Sequence, residues 1–179
     1  MNKWIVAALT ALIVTFSASN AFALISVSLD VPVKFDFKDT TGIKETPVSG
    51  MLLKVSLPIF LGLGYDSYTV KPKATDGSEI GNYKVSMYNI YFDLPVPKIN
   101  ISAGVGIGKG DLTPPAGTKS YDPAVLTQYF LSVGYPFLAV LDVHLGMYSM
   151  KGKMKPKSSL MTEADMTATM YTLGARVGF

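Results

Sequence analysis

The 179-residue chain has no cysteine, one histidine and one arginine, and only 16% of its residues are charged. Without cysteine there is no disulfide scaffold, no thiolate metal site and no thiol nucleophile. A single histidine adds no ligand cluster, so neither a metal nor any other cofactor is expected. The net charge of +3 is small, and no patch of lysine and arginine interleaved with aromatics occurs, which argues against nucleic acid. Beyond residue 23 no run of 18 apolar residues exists, which excludes a helical membrane span there. Gly104-Val105-Gly106-Ile107-Gly108-Lys109-Gly110 is not a phosphate loop, because position 103 is Ala and position 110 is Gly. What the chain does have is apolar mass. At 49% hydrophobic it is too apolar for disorder, and its length suits one domain.

The first 23 residues read as an export signal. Lys3 supplies the positive start, Trp4 to Phe16 the apolar core, and Ala21-Phe22-Ala23 the small-residue cleavage site. The expected organisation is a signal peptide over 1–23 and one mature domain over 24–179.

From Ile25 onward the hydrophobicity has a period of two. Ile25, Val27, Leu29, Val31, Val33, Phe35 and Phe37 fall on one face, with Ser26, Ser28, Asp30, Pro32, Lys34 and Asp36 on the other. Only strand spacing separates two such sets completely. Seven more rows follow: Met51 to Leu57, Ile59 to Tyr65, Tyr88 to Leu94, Ile99 to Ile107, Tyr129 to Tyr135, Leu141 to Met147 and Tyr171 to Phe179. Short proline-marked connections around Pro58, Pro95 to Pro97 and Pro136 alternate with longer polar ones at about 38–50, 71–83, 109–124 and 151–165. The expected fold is all-β, an eight-stranded antiparallel up-and-down barrel.

Which face points inward decides the class. The eight rows hold thirty-seven side chains, nearly all large, whereas a small eight-stranded barrel encloses about 12 in three layers. The opposite face carries Gly62, Gly64, Gly104, Gly106, Gly108, Gly134, Gly146, Gly174 and Gly178 with several serines. The apolar face is therefore expected to look outward at lipid. Aromatics gather in two tiers: Phe35, Phe37, Tyr65, Tyr129 and Tyr171 near the long loops, and Phe92, Tyr135, Phe137 and Phe179 near the short turns. That is the arrangement of two interfacial girdles.

An export signal, eight amphipathic strands and a last row ending in phenylalanine resemble the small outer-membrane barrels of the OmpA/OmpX/OmpW type. The resemblance implies that Tyr171, Leu173, Ala175, Val177 and Phe179 form the signal read by the barrel-assembly machinery. It also implies residence in the cell outer membrane, with lipid and lipopolysaccharide as partners and both termini on the periplasmic side. A mature chain of this length can close the barrel alone, so a monomer is expected. The leading functional expectation is non-enzymatic, a structural or surface-interaction role through the external loops. A small channel for ions or apolar solutes is the alternative that an OmpW-type resemblance implies, and a lipid A-modifying enzyme comes third.

By parity, Asp30, Lys34, Asp36, Lys54, Asp66, Asp93, Asp142, His144 and Arg176 all project into the lumen. Buried charges need partners, so a paired polar network is expected, with Arg176 bridging to Asp30 and a structural contact between His144 and Asp142. His144 is the one residue on which an acid–base reading could rest, and no hydroxyl nucleophile is marked beside it. Lys151, Lys153, Lys155 and Lys157 form a basic run in the last external loop, where they are candidates for contact with lipopolysaccharide phosphates. Pro32 is out of place in a closed ladder and marks either a bulge or the end of the first strand.

Overall fold

A computed structural model describes residues 25–38, 43–58, 60–96, 98–115, 120–138, 141–157 and 162–178. The expected signal peptide, Ile59 and Phe179 lie outside the described residues. The described residues form eleven strands: β1 (Ser26–Phe37), β2 (Ile43–Glu45), β3 (Val48–Ser56), β4 (Leu61–Val70), β5 (Lys73–Ala74), β6 (Asn82–Val96), β7 (Ile99–Thr113), β8 (Ala124–Leu138), β9 (Leu141–Met154), β10 (Ala164–Asp165) and β11 (Ala168–Gly178). The eight longer ones follow one another antiparallel around a closed barrel, β1-β3-β4-β6-β7-β8-β9-β11, with β11 returning to β1. The short β2 and β5 pair with each other beyond one end, and β10 extends the edge of β9. Among the described residues there is no helix.

Alternation decides which side each residue takes. Val27, Leu29, Leu53, Leu63, Ile90, Val105, Leu131, Val133, Leu145 and Leu173 are exposed on the outside, while Ser28, Asp30, Lys54, Asp66, Ser132, Asp142 and His144 are buried within. Of the two expected aromatic tiers, Tyr65, Tyr129 and Tyr171, joined by Tyr88, and Phe92, Tyr135 and Phe137 are exposed on the outside.

The first strand departs from parity. Its register against β11 shifts between Pro32 and Lys34, so Lys34 rather than Val33 stands opposite Tyr171. Pro32 has no N–H to give the ladder, and the extra residue is accommodated as a β-bulge. Beyond it every side chain changes face. Lys34 and Asp36 therefore leave the expected lumen network and form an exposed ion pair at 2.6 Å on the outside. Phe35 and Phe37 leave the expected girdle: Phe35 is completely buried, and Phe37 packs against the same inner cluster.

On its other side β1 pairs with β3 only from Ser26 to Asp30, against Ser56 to Leu52. Above that point the two strands separate. The Thr46 hydroxyl donates to the Phe35 carbonyl across the gap, and Phe35 with Tyr68, ring centroids 6.1 Å apart, fills it from inside. At Gly50, where β3 turns away, φ is +149° and a Cβ would collide with the Tyr68 backbone, so only glycine fits.

The loops are shorter than expected, because β6 begins at Asn82, β7 runs on to Thr113 and β9 to Met154. Their inward residues at this end are apolar. Tyr68, Val70, Tyr83, Val85, Met87, Leu126, Phe130, Tyr148, Met150, Met154, Met166 and Met170 form one buried cluster with Phe35 and Leu52. The lumen is thus not small and polar throughout. One half is polar; the other is an apolar plug.

Candidate functional site

The polar half is organised around three carboxylates, each on a different strand. Asp30 on β1 takes the Lys54 ammonium from β3 at 2.7 Å and faces His144 Nε2 from β9, also at 2.7 Å. The hydroxyls of Ser28 (2.9 Å) and Tyr148 (3.2 Å) donate to the same carboxylate. Lys54 Nζ donates onward to Tyr148 Oη at 3.2 Å and lies 5.5 Å from the centre of the Phe130 ring.

Asp142 on β9 meets His144 Nδ1 at 3.2 Å, accepts from Asn100 Nδ2 at 2.8 Å and pairs with Arg176 Nη2 at 2.7 Å. Arg176 extends its other nitrogen to Asp93 on β6 at 3.1 Å. Asp93 also accepts from the hydroxyls of Ser56 and Ser102. Three carboxylates thus face Lys54, Arg176 and His144, and each is held by at least three donors. A buried ionic group is tolerated on those terms.

Six of the residues placed in the lumen by sequence therefore meet in one cluster: Asp30, Lys54, Asp93, Asp142, His144 and Arg176. The expected Arg176–Asp30 bridge does not form. Arg176 stands opposite Ser28 on one side and Asp142 on the other, while Asp30 stands opposite Gly174, two residues further up. Parity gives the face but not the row. Asp66 lies higher in the barrel, where it accepts from Gln128 Nε2 at 2.6 Å; that same nitrogen donates to Asn89 Oδ1 at 2.5 Å. Ser56, Ser102 and Asn100 share the inward face that reads as small and polar in the sequence, and Ser28 the polar face of the first strand; Tyr91 and Tyr148 were not singled out, although their inward parity on β6 and β9 was the available signal.

Between these groups lies a cavity of about 10 Å³, lined by Ser28, Lys54, Tyr91, Ser102, Ser132, Gly134, His144 and Arg176. That is the lower limit for a single water. Glycines keep the interior closed rather than open: a Cβ on Gly62 would overlap the Tyr91 ring, and one on Gly110 the Tyr83 ring. The barrel spends the space its glycines release on aromatic rings. Among the described residues no three His, Asp or Glu side chains are grouped to hold a metal ion.

Ser28 Oγ, His144 and Asp142 form a chain that looks like a nucleophile, base and orienting acid, with Ser28 Oγ 3.1 Å from His144 Nε2. Asp30 intrudes on it, since it accepts the Ser28 hydroxyl and faces the same Nε2 at shorter range.

Lys151 and Lys153 face outward on β9, alternating with buried Met150 and Met154, and Lys155 and Lys157 continue the exposed series past its end. Of the residues expected as an assembly signal, Tyr171, Leu173, Ala175 and Val177 face outward on β11.

No known protein-family profile and no curated protein matches this chain. Solved structures do. Neisserial surface protein A (NspA) is 12% identical with a TM-score of 0.65, over 89% of this chain and 100% of that one. The outer membrane protein OprG from Pseudomonas aeruginosa is 10% identical with a TM-score of 0.53, over 89% of this chain and 98% of that one. The shared property is the fold. This chain has the fold of the small eight-stranded outer-membrane barrels.

Proposed function

We propose that this protein is an integral outer-membrane barrel with a sealed lumen and a non-enzymatic role, acting as a structural element and through the groups it presents at its outer face. The observation that carries the reading is the inversion of the usual burial pattern. Large apolar side chains cover the outside of every barrel strand, and charged ones are buried inside. Such a surface is stable in hydrocarbon, and a closed antiparallel barrel is one of two architectures that satisfy every backbone group there.

Two features support a sealed lumen over a channel. The polar cluster spans the lumen from β1 to β6 and β9 with each charge held by direct partners, and the buried Asp66, Gln128 and Asn89 with the apolar plug occupy the rest. A solute path would have to break buried ion pairs or displace packed rings. The same packing argues against the lipid A-modifying enzyme that stands third. Ser28 is 4% exposed, and the N–H groups of β-strands are engaged in ladders rather than free to stabilise an oxyanion.

Single-channel recording on refolded mature protein in a planar bilayer tests the reading, with insertion verified by a heat-dependent gel shift. Inserted protein without discrete current steps is the expected result. Reproducible steps would overturn it in favour of a channel.

A further inference from the structure

Resting on the outer-membrane reading, we propose that the outer face of β7, β8 and β9 docks a phosphorylated glycolipid of the outer leaflet, lipopolysaccharide, with Lys109, Lys151 and Lys153 as its phosphate ligands. The sequence suggested a basic loop. The structure instead builds the lysines into the wall. Lys153 stands opposite Val125, and Val125 stands opposite Lys109 on its other side, so two ammonium stems flank one valine across three neighbouring strands. Lys151 stands opposite Thr127 in the row below. All three lysines are exposed. Adjacent strands are about 4.8 Å apart, which places the Lys109 and Lys153 backbones about 10 Å from each other on one continuous surface.

The position of this triangle along the barrel is what selects a lipid. Directly below it lies the girdle residue Tyr129, with Lys151 Nζ 5.9 Å from its ring centre. Level with Tyr129 and below it the same face is apolar: Val105, Leu131, Met147, Leu145 and Val133 are all exposed. From Met147 to Lys151 is four residues of one strand, about 10 Å along the barrel axis once strand tilt is allowed for. A molecule that fits this face therefore has acyl chains at one end and anionic groups about one headgroup layer higher. A soluble polyanion would gain nothing from the apolar half.

The charge is available to a ligand. Lys153 has two carboxylate neighbours, Glu163 at 3.7 Å between side chains that are both more than half exposed and Asp165, exposed and opposite it in the β9–β10 ladder, and contacts so open to solvent have little strength. Lys155, exposed just beyond β9, adds to the same field. The strand frame also fixes the backbone positions from which the three ammonium groups extend, which a mobile loop would not do.

The test uses full-length mature protein refolded into nanodiscs of phosphatidylcholine, with purified diphosphoryl lipid A as the probe and bound lipid counted by native mass spectrometry. Wild-type protein is expected to retain lipid A, and the triple variant K109Q/K151Q/K153Q to retain it about tenfold more weakly. The variant Lys98→Gln, at the opposite end of the barrel, serves as the charge control and is expected to match wild type. Equal retention by the triple variant, or equal retention of dephosphorylated lipid A by wild type, would overturn the proposal. The heat-dependent gel shift, recorded on each sample, reports insertion separately. Its loss in wild type would instead sink the membrane reading itself.

Discussion

The Lys54 ammonium lies 2.7 Å from the Asp30 carboxylate, and both side chains are almost wholly buried in the barrel. Such a pair contributes little net stability compared with an apolar pair of equal volume, but removing Lys54 takes away the lysine that faces this buried carboxylate and leaves Asp30 with His144 and two hydroxyls as its partners. Lys54→Met is therefore expected to cost about 3 kcal/mol. The double variant K54M/D30N is expected to recover much of that loss. Urea unfolding of bilayer-inserted protein, run as a double-mutant cycle, measures both, and additive losses would show that the two charges do not depend on each other.

The bulge in β1 predicts an exchange of faces. A cysteine placed at Lys34 is expected to react with a membrane-impermeant maleimide in folded, inserted protein. One placed at Phe35 is expected to stay unreactive until the protein is unfolded. The opposite result would mean that strict alternation continues past Pro32.

Gly62 is expected to tolerate no side chain. Gly62→Ala forces a methyl into the Tyr91 ring and is expected to cost about 1–3 kcal/mol as overpacking. In a Tyr91→Leu background the same substitution should cost much less. A shift in urea midpoint without a change of slope is the readout. An equal cost in both backgrounds would place the strain elsewhere.

Beyond the apolar band, Asp165 caps a tight turn. The Thr167 hydroxyl donates to its carboxylate at 2.6 Å and the Thr167 backbone N–H at 2.8 Å. These donors hold the Asp165 carboxyl below the usual carboxylate range. A lowered value stabilises the turn above the unfolded pKa, and the contribution disappears as pH falls through the folded one. A carbon-13 titration of the side-chain carboxyl is expected to show a midpoint below 3.8, the ordinary value, and to move upward in Thr167→Val. An unmoved midpoint would assign the shift to another group.

The outward face was almost fully legible in the sequence, because its alternation is nearly unbroken and Leu29, Leu53, Ile90 or Leu145 carry it in plain view. Closure into eight strands followed from the same rows. What escaped had physical reasons. A bulge has no composition of its own, so parity counting ran through Val33 and turned Lys34 and Phe35 the wrong way, with Pro32 as the sole warning. Past the apolar rows the outer face becomes polar while the inner face stays apolar. The contrast therefore reverses, and Lys151, Gly152, Lys153 and Met154 read as loop. Partner choice inside the lumen was hidden for another reason. Strand tilt offsets the rows, so Asp142 and Asp93, rather than Asp30, come level with the Arg176 guanidinium.

The ladder between β1 and β11 joins the two strands furthest apart in the chain through eleven residue pairs, whereas every other seam of the barrel lies between strands that follow one another. Hairpins can zip as soon as their turns form, but this seam cannot begin until the last strand exists. Completion of the wall is thus a late and slow event, in the sense that distant pairings always are. A chain halted before Ala168 would present two bare edges, on β1 and β9, each a template for another molecule. The protein's solubility is consequently at its most precarious just before the final strand arrives, and, on the membrane reading proposed above, a factor that engages β11 would act at the moment when protection matters most.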